Sequence, residues 1–261
     1  MAIAFSDTGL EFPEIREFVP EFKCWLENRY GLEISLDIVK PKLRFDEVIK
    51  KYGYPVINKE VAKYVEYARK GSLWAINGVN GQDKYGQPCK YKQRYTSYKY
   101  LVDAPFNVSD KCCNHLKISP LESYEKLHKT KPIVATMAEE GKRRLDGWLR
   151  LGCNGIGHER ARSMPMAFWL EQDILRYLMQ FNIPYASVYG DIVEEKGRLK
   201  TTMEQRTGCM FCMFGVHMHG TNKFQRMRLT HPKQYGYCIR PVEDGGLGLG
   251  RVLDYIGVKY V

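Results

Sequence analysis

The chain has 261 residues, 44% of them hydrophobic, with 40 Lys and Arg against 30 Asp and Glu for a formal charge of +10. Such a length and composition allow one substantial core and exclude a fibrous or disordered protein. With no run of eighteen apolar residues, and an opening MAIAFSDTGLEF that lacks the zones of a secretory signal, the expectation is a cytoplasmic chain without membrane contact, whose basicity suits anionic partners.

Periodicity organises the chain. IAFSD reads as a short strand ending in a turn, and PEIREFVPEFKCWLENRYG has helical spacing at Ile15, Phe18, Phe22 and Trp25. LEISLDIVKP alternates as a strand does, whereas FDEVIKKYG and NKEVAKYVEYARKG are helical. Strands alternating with helices predict an α/β fold with a mostly parallel sheet flanked by helices. Residues 75–110 break the rhythm with Gly78, Gly81, Gly86, Pro88 and Pro105, and read as an irregular, loop-rich insertion. LESYEKLHKT predicts a helix, KPIVATMAEE a strand leading into a turn, and MAFWLEQDILRYLMQFN an amphipathic helix between Pro165 and Pro184. From Gly220 onward only weak strand or coil signals remain. The expected organisation is an α/β domain over 1–220 and a tail over 221–261 packing on the core.

Chemistry concentrates in the cysteines. Cys112 and Cys113 are adjacent, and 96 positions after Cys113 comes Cys209-Met-Phe-Cys212. A Cys-x-x-Cys turn aims two thiolates at one ligand, and soft thiolates suit zinc or iron-sulfur clusters. Neighbouring cysteines bind one small ion awkwardly, whereas a [4Fe-4S] cluster accepts both sulfurs at separate irons; a cluster is therefore the leading expectation and zinc the alternative. A thioredoxin-like redox role fits less well, because no helix is evident directly after Cys209. Cys24, Cys89, Cys153 and Cys238 read as buried small hydrophobes, and His217 and His219 as neighbours of the site or surface groups.

Residues 84–101 carry five Lys or Arg, five Tyr and no acid. That alternation suits single-stranded nucleic acid. A β-hairpin with packed tyrosines and solvated lysines explains it equally and is preferred.

The cysteine pattern resembles the phosphoadenosine phosphosulfate (PAPS) reductase family, whose adenylylsulfate-reducing members hold a [4Fe-4S] cluster on a CC pair and a distant CxxC. Further segments are similar in the same order: FSDTGLEFPE to the strand-end DTG segment, CCNHLKISPL to CC-xxx-K-xx-PL, ATMAEEGKRR to the Ala-Glu-Glu turn, MAFWLEQDILRYL to the Trp-x-x-x-Asp-Val helix, and QRTGCMFCMFG to RTGC-x-x-C-x-x-G. The resemblance covers roughly residues 3–240, and implies the PP-loop, or adenine nucleotide alpha-hydrolase-like, fold. It departs from the family in lacking the N-terminal Ser-Gly-Gly-x-Asp-Ser phosphate loop and the C-terminal Glu-Cys-Gly-Leu-His motif. The first absence implies an N-terminally truncated fold, or a partner polypeptide that supplies the loop.

By this resemblance Asp7, Thr8 and Gly9 line a cleft for an adenosine nucleotide or sulfonucleotide, and Lys117, Arg143 and Arg206 meet its phosphate or sulfate oxygens, with Glu140 beside Arg143. The plainer reading of the first three is a turn with a helix cap. The implied activity is that of an oxidoreductase or sulfur transferase. The competing reading is a catalytically inactive, metal-stabilised module that binds nucleic acid, and a tRNA or DNA substrate for sulfur modification would join the two.

Overall fold

The computed structural model describes residues 2–155, 161–218 and 222–261. In chain order the elements are β1 (Ala2–Ser6), α1 (Pro13–Tyr30), β2 (Ser35–Val39), α2 (Phe45–Tyr52), β3 (Val56–Ile57), α3 (Lys59–Arg69), α4 (Leu73–Val79), α5 (Gln93–Thr96), α6 (Ser119–His128), α7 (Lys142–Leu151), α8 (Glu171–Gln180), β4 (Ile192–Glu195), β5 (Arg198–Thr201), β6 (Met213–Phe214), α9 (Lys223–Thr230), α10 (Pro232–Ile239) and α11 (Leu249–Tyr255). The fold is mixed α/β with small parallel sheets. Among the described residues the strands form three two-stranded ladders rather than the one sheet expected: β1–β2 and β3–β6 are parallel, β4–β5 antiparallel. Backbone geometry keeps β3 short, because Ile57 at φ 62 turns the chain after two residues. No described helix is long and apolar enough to cross a membrane.

The chain divides into two compact units. The first comprises Met1–Asp7, Glu11–Val39 and Pro120–Thr207. Its β1–β2 ladder runs from Ala2↔Ser35 to Ser6↔Val39, and Asp7 N–H extends it to the Val39 carbonyl at 3.0 Å. α1 begins with Pro13, whose missing N–H costs nothing in a first turn, and carries Phe18, Phe22 and Trp25 stacked at 5.3 and 5.6 Å along one face. In the same unit the Gln172 side-chain amide of α8 both donates to and accepts from the Leu199 backbone, at 2.8 and 2.9 Å, and so fastens the helix to β5.

The second unit comprises Thr8–Leu10, Lys40–Ser119 and Gly208–Val261. It buries Val48, Val56, Val65, Leu101, Val108 and Met213 almost completely. Fully burying an aliphatic side chain stabilises by about 1.5–3 kcal/mol, so this apolar set is its main source of stability. Extended segments organise it: Val56 and Ile57 pair with Met213 and Phe214, and Tyr54 bridges Val108 in parallel. Gly53 makes the second pairing possible. At φ +110, a Cβ there would lie 2.4 Å from the Asn107 backbone.

Several expectations need correction. Residues 221–261 hold α9, α10 and α11 instead of strand or coil. These helices have seven or eight residues, too few to show apolar periodicity; local signals make them, namely the Asn222 side chain capping α9 and Pro232 opening α10. The glycine cluster serves close packing, since a Cβ on Gly246 would meet Arg240 O at 2.2 Å. The strand expected in KPIVATMAEE is one isolated bridge, Ile133↔Ser163, followed by a 3₁₀ turn at Ala138–Glu140. The helix expected between Pro165 and Pro184 starts only at Glu171, where Asp173 accepts from Leu170 N–H at 2.9 Å. Residues 84–101 form an α-turn and 3₁₀ turns rather than a hairpin, although Tyr95 is buried as expected of a packed tyrosine. Of the four cysteines expected to be buried, only Cys238 is; Cys24 lies off the aromatic face of α1 and is exposed, and Cys89 and Cys153 are half-buried.

Gly53→Ala is expected to lower stability by about 2 kcal/mol or more, through strain at positive φ and the clash with Asn107. Gly236→Ala, in α10 with open space around it, is expected to be neutral or stabilising by about 0.5–1 kcal/mol. Urea titrations of the two variants check this, and equal stabilities would contradict it.

Candidate metal centre

The site is built within the second unit, from the pairing of Tyr54–Ile57 with two distant stretches of chain. On one neighbour, Tyr54 N–H donates to Asn107 O at 2.8 Å and Ser109 N–H to Tyr54 O at 3.1 Å. The chain then turns at Ser109, whose hydroxyl accepts from Lys111 N–H at 3.1 Å and donates to the buried Glu66 carboxylate at 3.1 Å. Lys70 binds the other Glu66 oxygen at 2.5 Å, so this buried acid is paired and hydrogen-bonded. Directly after this turn come Cys112 and Cys113, on the opening turn of a helical segment that continues as a π-helical turn over Asn114–Ile118. π-turns inside helices are uncommon and are frequently found at functional sites. This one leaves Leu116 buried and Lys117 lining the cavity described below.

On the other neighbour, Cys212 immediately precedes β6. Its N–H bonds to the Cys209 carbonyl at 3.1 Å and closes the Cys-x-x-Cys turn. Two further bonds fix that turn: Met210 N–H donates to Leu10 O at 2.8 Å, and Lys223 Nζ donates to Cys209 O at 2.9 Å. Lys223 opens α9, which Asn222 caps by accepting from Phe224 and Gln225 N–H at 3.0 and 3.3 Å. Phe211 packs between Phe45 and Tyr237, with ring centroids 6.4 and 6.1 Å away.

All four predicted cysteines line one small cavity, together with Leu10, Phe45, Pro55, Leu116 and Lys117. Among the described residues no three His, Cys, Asp or Glu side chains stand close enough to enclose a single ion. The thiols thus share a space without converging on a point.

Electrostatics separates the adjacent pair. The Cys113 thiol is held well below the usual thiol range, first by a hydrogen bond from Cys112 and then by the Lys59 and Lys117 ammonium groups, against the opposing effect of burial. Cys112 is pushed up by donating that bond, by burial and by the charges of Cys113, Cys212 and Cys209. Of the pair, Cys113 is the readier ligand, because the thiolate binds metal; Cys112 must still release its proton to join it. Cys238 is different: burial pushes its thiol up to about 12, and it donates to Tyr235 O at 3.3 Å, as a structural cysteine does.

Lys59 is a site residue that the sequence does not reveal, since nothing in NKEVAKYV distinguishes it from a solvated helix lysine. Its place follows from Ile57, a β-branched residue held at φ 62, and from Asn58, which caps α3 by accepting from Val61 N–H at 2.8 Å. The strained turn delivers the first residue of α3 to Cys113.

The other predicted residues are distributed over both units. Thr8 and Gly9 lie in the second, where Thr8 Oγ1 accepts from Leu10 N–H at 3.2 Å and Gly9 adopts φ +74. This geometry matches the turn reading of the segment and places Leu10 on the cavity. Asp7, Glu140, Arg143 and Arg206 belong to the first unit. Asp7 is buried and accepts from Arg16 Nη2 at 3.2 Å. Glu140 accepts from Met137 N–H at 2.9 Å and pairs with Arg144 at 3.0 Å, rather than with Arg143. Arg143 and Arg206 are exposed and, among the described residues, have no ion-pair partner. His217 is exposed and sits edge-on to Tyr98 at 6.3 Å; His219 lies outside the described residues.

Ser109→Ala removes the buried hydroxyl that links the Cys112–Cys113 turn to Glu66, and is expected to cost about 1–3 kcal/mol of stability. A urea midpoint unchanged from that of the parent chain would show that the link does not hold the turn.

No protein-family model matches the chain, and no curated protein matches it.

Proposed function

We propose that Cys112, Cys113, Cys209 and Cys212 hold a [4Fe-4S] cluster, in a chain that performs adenosine-nucleotide-linked sulfur-transfer or sulfonucleotide chemistry on a PP-loop-like architecture. The observation that carries the metal half is that four thiols, drawn from two stretches of sequence, line one largely apolar cavity. The donor set fits the group: all four ligands are thiolates, and neighbouring sulfurs reach separate irons more readily than one zinc ion. When bound, such a cluster would supply redox or electrostatic chemistry tuned by its surroundings.

The protein's own contribution is to stabilise negative charge. Four thiolates leave a [4Fe-4S] centre anionic, and in an apolar lining that charge must be offset. Lys59 and Lys117 supply ammonium groups beside Cys113, and Lys223 fixes the Cys209 carbonyl. Leu10, Phe45 and Leu116 give the sulfurs an apolar lining, with Cys112 buried and Cys113, Cys209 and Cys212 half-buried. The nucleotide half rests on the order of the motifs and on the exposed Arg143 and Arg206, whose guanidinium forks suit phosphate and sulfate oxygens.

Anaerobically purified protein is expected to be brown, with broad absorbance near about 400 nm and roughly four irons and four sulfides per chain. Cys113→Ala and Cys209→Ala should lose the metal, while Cys24→Ala keeps it. One zinc per colourless chain, or full iron in Cys209→Ala, would contradict the assignment. For the nucleotide half, calorimetric titration with adenosine 5′-phosphosulfate should show binding that Arg143→Gln and Arg206→Gln each weaken by about tenfold or more, the worth of a charge-assisted hydrogen bond. Failure of that titration alone would remove the nucleotide reading and leave the metal centre standing.

A further inference from the structure

Residues 83–100, within the second unit, present a surface that the metal centre does not use. Asp83 closes a tight turn: its Oδ1 accepts from Tyr85 N–H at 2.8 Å and Gln87 N–H at 3.0 Å. Its own N–H donates to Gln87 O at 2.8 Å, and a bridge between Gln82 and Pro88 seals the base. Tyr85 projects from this turn at 75% exposure. Tyr91 stands on the 3₁₀ turn that follows, at 83% exposure. Both rings are thus displayed from hydrogen-bonded turns, while Tyr95 anchors the platform by stacking on Tyr64 at 4.7 Å and is itself 3% exposed.

The charge beside these rings in sequence is mainly positive. Lys84 lies over the Tyr85 ring at 4.7 Å, and Lys90 and Lys99 are exposed nearby in sequence. Among the described residues none of these three lysines has an ion-pair partner. The neighbouring acids are engaged elsewhere, Asp83 with backbone amides and Glu60 with Arg94 at 3.1 Å. An apolar protein partner would cover the rings but strand the lysines without water. An acidic peptide would answer the lysines and leave the ring faces wet. A duplex hides its base faces in the stack. Single-stranded nucleic acid presents both planar bases and phosphates.

We propose that Tyr85 and Tyr91 form a stacking platform for single-stranded DNA or RNA, with Lys84, Lys90 and Lys99 meeting its phosphates. The contact is independent of the metal assignment, because none of these residues lines the cysteine cavity.

The test is fluorescence anisotropy of the full chain with a labelled twelve-nucleotide single strand, as DNA and as RNA, beside the same sequence in a duplex and a polyglutamate peptide. Single strands should bind more tightly than both comparators. Tyr85→Ala/Tyr91→Ala should lower affinity about tenfold or more while leaving the salt dependence intact, as loss of base stacking does. Lys84→Gln/Lys90→Gln/Lys99→Gln should instead flatten the slope of log affinity against log salt by about 2, the share of three single-strand phosphate contacts. Iron content should be unchanged in both variants. Absence of single-strand binding, preference for duplex or polyglutamate, or full affinity in the double tyrosine variant would overturn the proposal.

Discussion

The pairing of one short extended segment, Tyr54–Ile57, with two neighbours far apart in sequence is the constraint on which the candidate site depends. Tyr54 takes Asn107–Ser109 as its partner, and Val56–Ile57 takes Met213–Phe214. Each neighbour leads directly into or out of a cysteine pair. Because side chains alternate along a strand, a one-residue slip in either pairing would turn a cysteine pair away from the cavity. Burial resists such a slip: Val56, Val108 and Met213 are almost wholly enclosed, and each backbone bond adds about 0.5–1.5 kcal/mol. Gly53 permits the close approach, and Ile57 carries the cost of leaving it.

Positioning creates an electrostatic problem, since thiols gathered in an apolar lining resist ionisation. The chain answers it with ammonium groups carried on helical segments. Lys59 is the first residue of α3, Lys223 the first of α9, and Lys117 lies in the π-helical turn after Cys113. A metal at the cysteines would also close a chain loop of nearly a hundred residues. Such long-range closure is entropically costly in the unfolded chain, so ligation and folding of the second unit reinforce each other.

Much of this was legible in the sequence where the signal is local. β1, α1, β2, α2, α3 and α6 follow their apolar periods, and spacing alone singled out the four cysteines that line the cavity. Lys117 stands out in the sequence as a contact for phosphate or sulfate oxygens, and it lies on the cysteine cavity. The rest required tertiary information. Lys59 looks like any surface lysine until β3 and the cysteine turn are brought together. The short helices α9–α11 are fixed by caps and close glycine contacts that periodicity does not register. Glu140 is near Arg143 in sequence, but it ends the 3₁₀ turn before α7 and pairs instead with Arg144 in the first turn of that helix. The exposed pair Tyr85 and Tyr91 was visible in composition, whereas its presentation depends on the turn that Asp83 closes.

The central claim is that four thiolates enclose one polynuclear centre, and X-ray absorption of the anaerobically purified full chain addresses it most directly. The account predicts iron with an all-sulfur first shell and a second shell of neighbouring irons. A zinc edge with sulfur ligands and no metal–metal scattering, or no bound metal, would contradict it.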